Sequence, residues 1–182
     1  TSSDISFDLE LAATITETDD YISTNNEINF IPGDELLITA VFEPTGACIV
    51  PSNITSEHIL TKECSPYLVQ QNVEITSTGK LIIEEDVEIW MPENGTITAN
   101  GPIVAKGTNG HPVIFKANPQ NNDEPWGIIN IVGVADTSYF SNVLIEDASS
   151  GKHPIRETAA ISAYHSIVVI DSTTIENVHG NP

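Results

Sequence analysis

Residues 67–118 read YLVQQNVEITSTGKLIIEEDVEIWMPENGTITANGPIVAKGTNGHPVIFKAN. The stretch divides into strands of roughly three to five residues, separated by Gly, Pro and Asn turns, with no helical interval. Val73, Ile75, Leu81, Ile83, Val87, Ile89, Ile97, Ile103, Val113 and Phe115 occupy alternating positions inside those strands. Successive side chains of a strand point to opposite faces, so a period of two gives each strand one apolar face. The pattern returns after about 22 residues (Ile75 to Ile97) and later after about 30 (Ile145 to Ile175), which predicts a solenoid of stacked β coils.

Working outward, three strands per coil account for the rest of this part. The first coil is expected at Val73–Ile75, Leu81–Ile83 and Val87–Trp90, the second at Thr96–Thr98, Ile103–Ala105 and Val113–Phe115. A third follows at Gly127–Ile131, Tyr139–Phe140 and Val143–Ile145, and a fourth at Ala160–Ala163, Ile167–Ile170 and Thr174–Ile175. The fold class is therefore all-β, a solenoid of about four coils. Residues 1–63 read differently. ISFDLEL (residues 5–11) and ELLITAVF (residues 35–42) are predicted strands, Thr18–Asn26 a polar loop, Asn29–Ile31 a short strand and Thr55–Leu60 a helical turn. We expect a small N-terminal β module or cap over residues 1–63 and the β-helix over 64–182, because the end of a solenoid needs its strand edges covered.

Composition narrows the partners. The 182 residues hold 26 acids against 6 bases, a formal charge of −20. Such a field repels phosphate backbones and anionic lipid, which excludes nucleic-acid binding, and no apolar run is long enough for membrane insertion. Cys48 and Cys64 form an even pair around a polar loop, and a disulfide between them places the chain in an oxidising compartment, secreted or at a cell surface. The chain opens on TSSDIS without Met and closes on Gly180-Asn181-Pro182 directly after a coil. Both ends are expected to have lost sequence, a leader at one and further coils of a larger polypeptide at the other.

Gly101-Pro102-Ile103-Val104-Ala105-Lys106-Gly107-Thr108, then Pro112-Val113-Ile114-Phe115, then Trp126-Gly127-Ile128-Ile129 are the residues that carry a family resemblance. They are similar to the G-x-L-x-A-x-G-T, P-I/V-x-F and W-G-x-I stretches of pectin-lyase-like right-handed β-helices, in particular extracellular bacterial ones. Pro102 stands where Thr is more usual. The resemblance spans residues 66–178. It implies the fold, a right-handed single-stranded parallel β-helix of about four coils, and it raises polysaccharide chemistry as an activity that some relatives perform.

That chemistry makes specific demands. A Ca²⁺-dependent lyase needs carboxylates for the cation and a basic residue as proton acceptor. Arg156 is the only arginine, and Asp136 and Glu157, with Glu146 and Asp147, are the candidate carboxylates around it. A glycoside hydrolase needs two acids facing one cleft. Asp171 with Glu176, or Glu146 with Asp147, are the candidate pairs, but adjacent strand residues diverge unless the backbone turns between them. The Gly-His-Gly of the family's hydrolases is absent, and Gly110-His111-Pro112 is its nearest counterpart. The five histidines include no i,i+2 or i,i+4 pair, so no metal centre is predicted, and Ca²⁺ is the only cofactor with a rationale. For binding without turnover, Trp90 and Tyr164 are the candidate sugar platforms, whereas Trp126 is expected to pack internally. Asn142 and Asn177, near coil ends, are expected to satisfy corner backbone groups. The sequence thus favours a non-enzymatic extracellular or cell-surface module, structural or adhesive, with polysaccharide or cell-surface glycan as partner. The alternatives are a polysaccharide lyase or glycoside hydrolase fragment and a carbohydrate-binding module.

Overall fold

The computed structural model describes residues 22–24, 27–29, 48–121, 124–151 and 158–180. The chain divides into two compact units, Thr1–Thr45 and Gly46–Pro182. In the first, β1 (Ile22–Thr24) pairs antiparallel with β2 (Glu27–Asn29). The strand at β1 lies where the sequence predicts a polar loop. The predicted strands at residues 5–11 and 35–42 lie outside the described residues.

The second unit is the solenoid. Its strands, in chain order, are β3 (Cys48–Ile49), β4 (Asn53–Ile54), β5 (Glu57–Leu60), β6 (Tyr67–Leu68), β7 (Val73–Ile75), β8 (Lys80–Ile83), β9 (Glu88–Met91), β10 (Ile97–Ala99) and β11 (Ile103–Lys106). They continue as β12 (Val113–Ala117), β13 (Ile129–Val132), β14 (Ser138–Ser141), β15 (Val143–Glu146), β16 (Ile161–Tyr164), β17 (Val168–Asp171) and β18 (Thr174–Glu176). Every third strand joins the same sheet. The first sheet runs β4-β7-β10-β13-β16, the second β5-β8-β11-β14-β17 and the third β3-β6-β9-β12-β15-β18, all parallel. This is a right-handed parallel β-helix. Among the described residues it has five complete coils, β4–β6 to β16–β18, preceded by β3.

The extra coil lies before the predicted division at residues 63 and 64, since β3, β4 and β5 belong to the three sheets. Its strands are as short as two residues, too short for alternation to be visible in the sequence. Thr55–Leu60, predicted as a helical turn, lies largely within β5, and the turn comes instead as a 3₁₀ segment at Lys62–Cys64. The Cys48–Cys64 disulfide forms, with Cα atoms 5.5 Å apart. The bridge joins β3, which pairs with β6, to the turn that leads into β6.

All ten residues singled out by alternation are buried. They stack in inward columns that run from coil to coil. Leu60, Ile83, Ala105, Phe140 and Ile170 form one such column in the second sheet, and Tyr67, Ile89, Phe115, Ile145 and Ile175 one in the third. Ile175 lies beside Ile145 as predicted, but Ile97 lies beside Val73 rather than Ile75. Corners are tight. A Cβ on Gly101 would stand 2.1 Å from the Gly79 carbonyl oxygen of the coil below, so only glycine lets these two turns nest.

Candidate functional site

The inward columns are closed to solvent except at their last members, such as Ile170 and Ile175, so function is sought on the outer sides of the three sheets and at the ends of the stack. On the first sheet the outward column is Asn53, Glu74, Thr98, Asn130 and Ser162. Beside it Asn72, Asn94, Thr96 and Ser149 border a shallow groove of about 240 Å³. The Asn72 side-chain oxygen accepts from the Thr96 backbone N–H at 3.0 Å, which fixes one wall. The groove offers hydroxyl and amide groups without a charged member.

The second sheet is different. Its central outward column is Ile59, Ile82, Val104, Tyr139 and Val169, one side chain per coil with no polar interruption. Ile59, Tyr139 and Val169 remain 46%, 38% and 42% exposed. Two shallow grooves of about 410 and 480 Å³ lie along this column, with Lys106 bordering both. The Lys106 ammonium is 5.0 Å from the centre of the Tyr139 ring, a cation–π contact that holds the ring against the sheet. On the neighbouring column Lys80 pairs with Glu57 at 3.0 Å.

The third sheet carries Leu68, Trp90 and Lys116 outward in successive coils. Trp90 does point out, since Ile89 is buried. Its indole N–H donates to the Glu88 carboxylate, Lys116 pairs with that same carboxylate, and the Lys116 ammonium is 5.7 Å from the ring centre. Lys116 thereby lies over one face of the ring. Tyr164, exposed at the end of β16, meets the His165 ring edge-on at 4.2 Å between centroids. It belongs to the first sheet, so the structure does not bring Trp90 and Tyr164 together.

The column above Lys116 ends in acids. Glu146 and Glu176 close adjacent strands of the third sheet and stand side by side. Partial burial raises the pKa of Glu146, and Glu176 and Asp147 raise it further, while Lys116 opposes them. Two acids at paired positions of adjacent parallel strands are neighbours whose charges repel. The backbone does turn after Glu146, with Asp147 at φ 56°, and Asp147 faces His179 at 3.9 Å. The Glu146–Glu176 pair was missed by the sequence reading, although the recurrence of Ile145 at Ile175 already set the two acids at equivalent positions.

Of the other candidates, Arg156 and Glu157 lie outside the described residues, and Asp136 is exposed between β13 and β14. Asp171 and Glu176 sit on different sheets. Among the described residues no group of three or more His, Cys, Asp or Glu is arranged to hold a metal ion, and no helix is long and apolar enough to cross a membrane. His111 faces Asp86 at 3.0 Å on an exposed corner. Trp126 is wholly buried, stacks on Phe115 and donates its indole N–H to the Glu146 carbonyl at 2.7 Å. Asn142 donates to the Gly107 carbonyl at 3.2 Å across a corner. Asn177 follows β18 and occupies a different corner.

The class defined by this architecture is the parallel β-helix, with a disulfide of the kind kept in oxidising surroundings. No protein-family model, curated protein or solved structure matches the chain, so the assignment of class rests on strand pairing and burial.

Proposed function

We propose that this chain is a non-enzymatic, exported β-helix module, pectin-lyase-like in fold, that serves as a rigid structural and adhesive element of a larger secreted or cell-surface protein. The observation that carries the reading is the continuous outward column Ile59-Ile82-Val104-Tyr139-Val169 on the second sheet. A backbone hydrogen-bonded from coil to coil holds these side chains at a fixed spacing of about 4.8 Å per coil. A repeating surface of that kind is organised to meet a repeating ligand along its length. A polysaccharide or cell-surface glycan, with apolar ring faces for the column and hydroxyls for its polar borders, is the partner we assign. The disulfide supports the extracellular setting.

The test is retention of the chain on insoluble cellulose, chitin and pectate gel, with and without Ca²⁺, while soluble products are assayed. We expect retention on at least one of these without released sugar. The double variant Val104→Asp/Tyr139→Asp should weaken it about tenfold, or ~1.4 kcal/mol. Released oligosaccharide that disappears in an Arg156→Ala variant would replace this reading with a lyase or hydrolase. Loss of retention from all three matrices would leave the adhesive part without support.

A further inference from the structure

The sequence contains three Asn-Gly pairs, Asn94-Gly95, Asn100-Gly101 and Asn109-Gly110. Each is a chemically weak link, because glycine sets no side chain between its backbone nitrogen and the amide carbon of the preceding asparagine. Attack by that nitrogen closes a five-membered imide. The peptide between the two residues must rotate for the attack, so the fold decides which pair can react.

Two of the pairs are held. Gly95 is buried, its N–H donates to the Pro92 carbonyl at 2.9 Å, and a Cβ there would stand 2.6 Å from the Pro92 ring. Asn94 is tied by its backbone N–H to the Pro125 carbonyl at 3.1 Å and by its side-chain amide to Glu93 at 3.0 Å. Asn100 donates its backbone N–H to the Ile75 carbonyl at 2.8 Å, and Gly101 is buried against the Gly79 carbonyl. Neither peptide rotates without breaking contacts between coils.

The third pair is open. Thr108, Asn109, Gly110 and His111 are all exposed. Paired backbone bonds of 3.0 Å between Thr108 and His111 close the turn and leave its two central residues outside them. Gly110 has φ 86°, and nothing beyond its chain neighbours lies within 4 Å of where a Cβ would stand. Among the described residues its N–H has no acceptor. The ends of the turn are anchored, since the Thr108 hydroxyl donates to Glu85 at 2.7 Å and the His111 ring meets Asp86 at 3.0 Å. The restraint stops short of the tip.

We propose that Asn109 is a site of spontaneous covalent modification in the folded protein, while Asn94 and Asn100 are protected by their coils. The Gly110 nitrogen bonds to the Asn109 side-chain amide carbon, and the bond from that carbon to the amide nitrogen breaks. The amide nitrogen leaves as ammonia, taking up the proton that Gly110 loses. One water molecule then opens the imide at either carbonyl, giving aspartate or isoaspartate. Solvent is the sole co-reactant, and nothing is oxidised or reduced. Either product adds a carboxylate to a corner that already bears Glu85 and Asp86, and isoaspartate lengthens the backbone between Thr108 and His111 by one carbon. Thr108 borders a groove of the second sheet, so ageing of this turn alters that border. The inference rests on turn geometry and amide chemistry, and it stands apart from the adhesive reading.

The test is incubation of the whole chain, disulfide intact, in mildly alkaline buffer. Peptide mapping by mass spectrometry follows each asparagine, and labelling by an isoaspartyl carboxyl methyltransferase reports isoaspartate. We expect residue 109 to convert at least about tenfold faster than residues 94 and 100, at a rate that rises with hydroxide concentration. In urea, where no fold protects them, the three pairs should react at similar rates. A Gly110→Ala variant should slow conversion of residue 109 at least about tenfold and leave the other two unchanged. Equal rates at the three pairs in the folded chain, or faster conversion at residue 94 or 100, would overturn the proposal. So would a residue 109 that stays an amide in the folded chain while it converts in urea, or one that converts equally fast in the Gly110→Ala chain.

Discussion

At the scale of single residues, the closest fits are at the corners. A methyl group added at Gly101 meets the Gly79 carbonyl at 2.1 Å and the Thr76 carbonyl at 2.5 Å. Backbone atoms cannot turn aside as a flexible side chain can. Gly101→Ala should therefore destabilise by about 1–3 kcal/mol, measured by urea denaturation. Glu146 offers a second test. Its raised pKa, caused first by burial and then by Glu176 and Asp147, means that its ionised form is disfavoured in the folded state. That penalty is fully present above the raised folded pKa. It disappears as pH falls through that value to below the unfolded one. Glu176→Gln should raise stability near pH 7 and leave it unchanged near pH 3, where carboxyls are protonated in both chains. Much at this scale was legible. Trp90 reads as outward from its place in the alternation, and Trp126 as packing from the resemblance of its Trp-Gly stretch to the family's. The Lys116 contact over Trp90 was not legible, because it depends on which residues of adjacent coils lie side by side.

At the scale of elements, the columns make stability position-dependent in a way that residue type does not. Phe140 and Ile170 are neighbours in one inward column, the first fully buried and the second 51% exposed. Phe140→Ala should cost about 3–5 kcal/mol, as for other buried aromatic truncations. Ile170→Ala should cost well under the roughly 2–5 kcal/mol of a buried isoleucine, because its cavity would already be open to water. Equal costs would mean that the fifth coil is covered. The Cys48–Cys64 bridge closes a loop around the first coil, so its reduction should lower stability by about 2–4 kcal/mol, read as a shift in the denaturation midpoint. Strand positions from Val73 onward were legible because each strand except β18 carries at least one inward–outward–inward alternation. Register was less so. Ile97 pairs with Val73 and not with Ile75, a slip of two residues that keeps every apolar side chain on the same face. Alternation alone cannot detect it. In the third sheet Ile145 and Ile175 were matched correctly.

At the scale of the whole solenoid, its three sheets differ in the chemistry of their outer sides. The first carries amides and hydroxyls, the second an apolar column, and the third a Trp90–Lys116–Glu88 cluster that runs into paired acids. The acidic surplus disfavours side-by-side packing of copies at low salt, since like charges repel over a Debye length of about 10 Å at 0.1 M. The parallel β-helix was legible because the same apolar spacing returned coil after coil. The first coil was not, because β4 and β6 are two residues long and β5 sets His58 inward and Ile59 outward, and a division at residue 63 followed from that. The chemistry of the sides was only partly visible, since an outward column is a property of register and register needs the structure.

The measurement that tests this account most directly is cross-linking within the apolar column. Val104 and Tyr139 lie side by side on adjacent parallel strands of the second sheet. Cysteines introduced at both positions should sit within the roughly 4.4–6.8 Å between Cα atoms that a disulfide spans. The Val104→Cys/Tyr139→Cys chain should oxidise to an internal bridge, mapped by mass spectrometry of its digest beside the Cys48–Cys64 bridge. Val104→Cys/Ser141→Cys, displaced by two residues along the strand, should not. A bridge in the displaced pair, with none in the first, would contradict the register on which the continuous column and the function proposed for it depend.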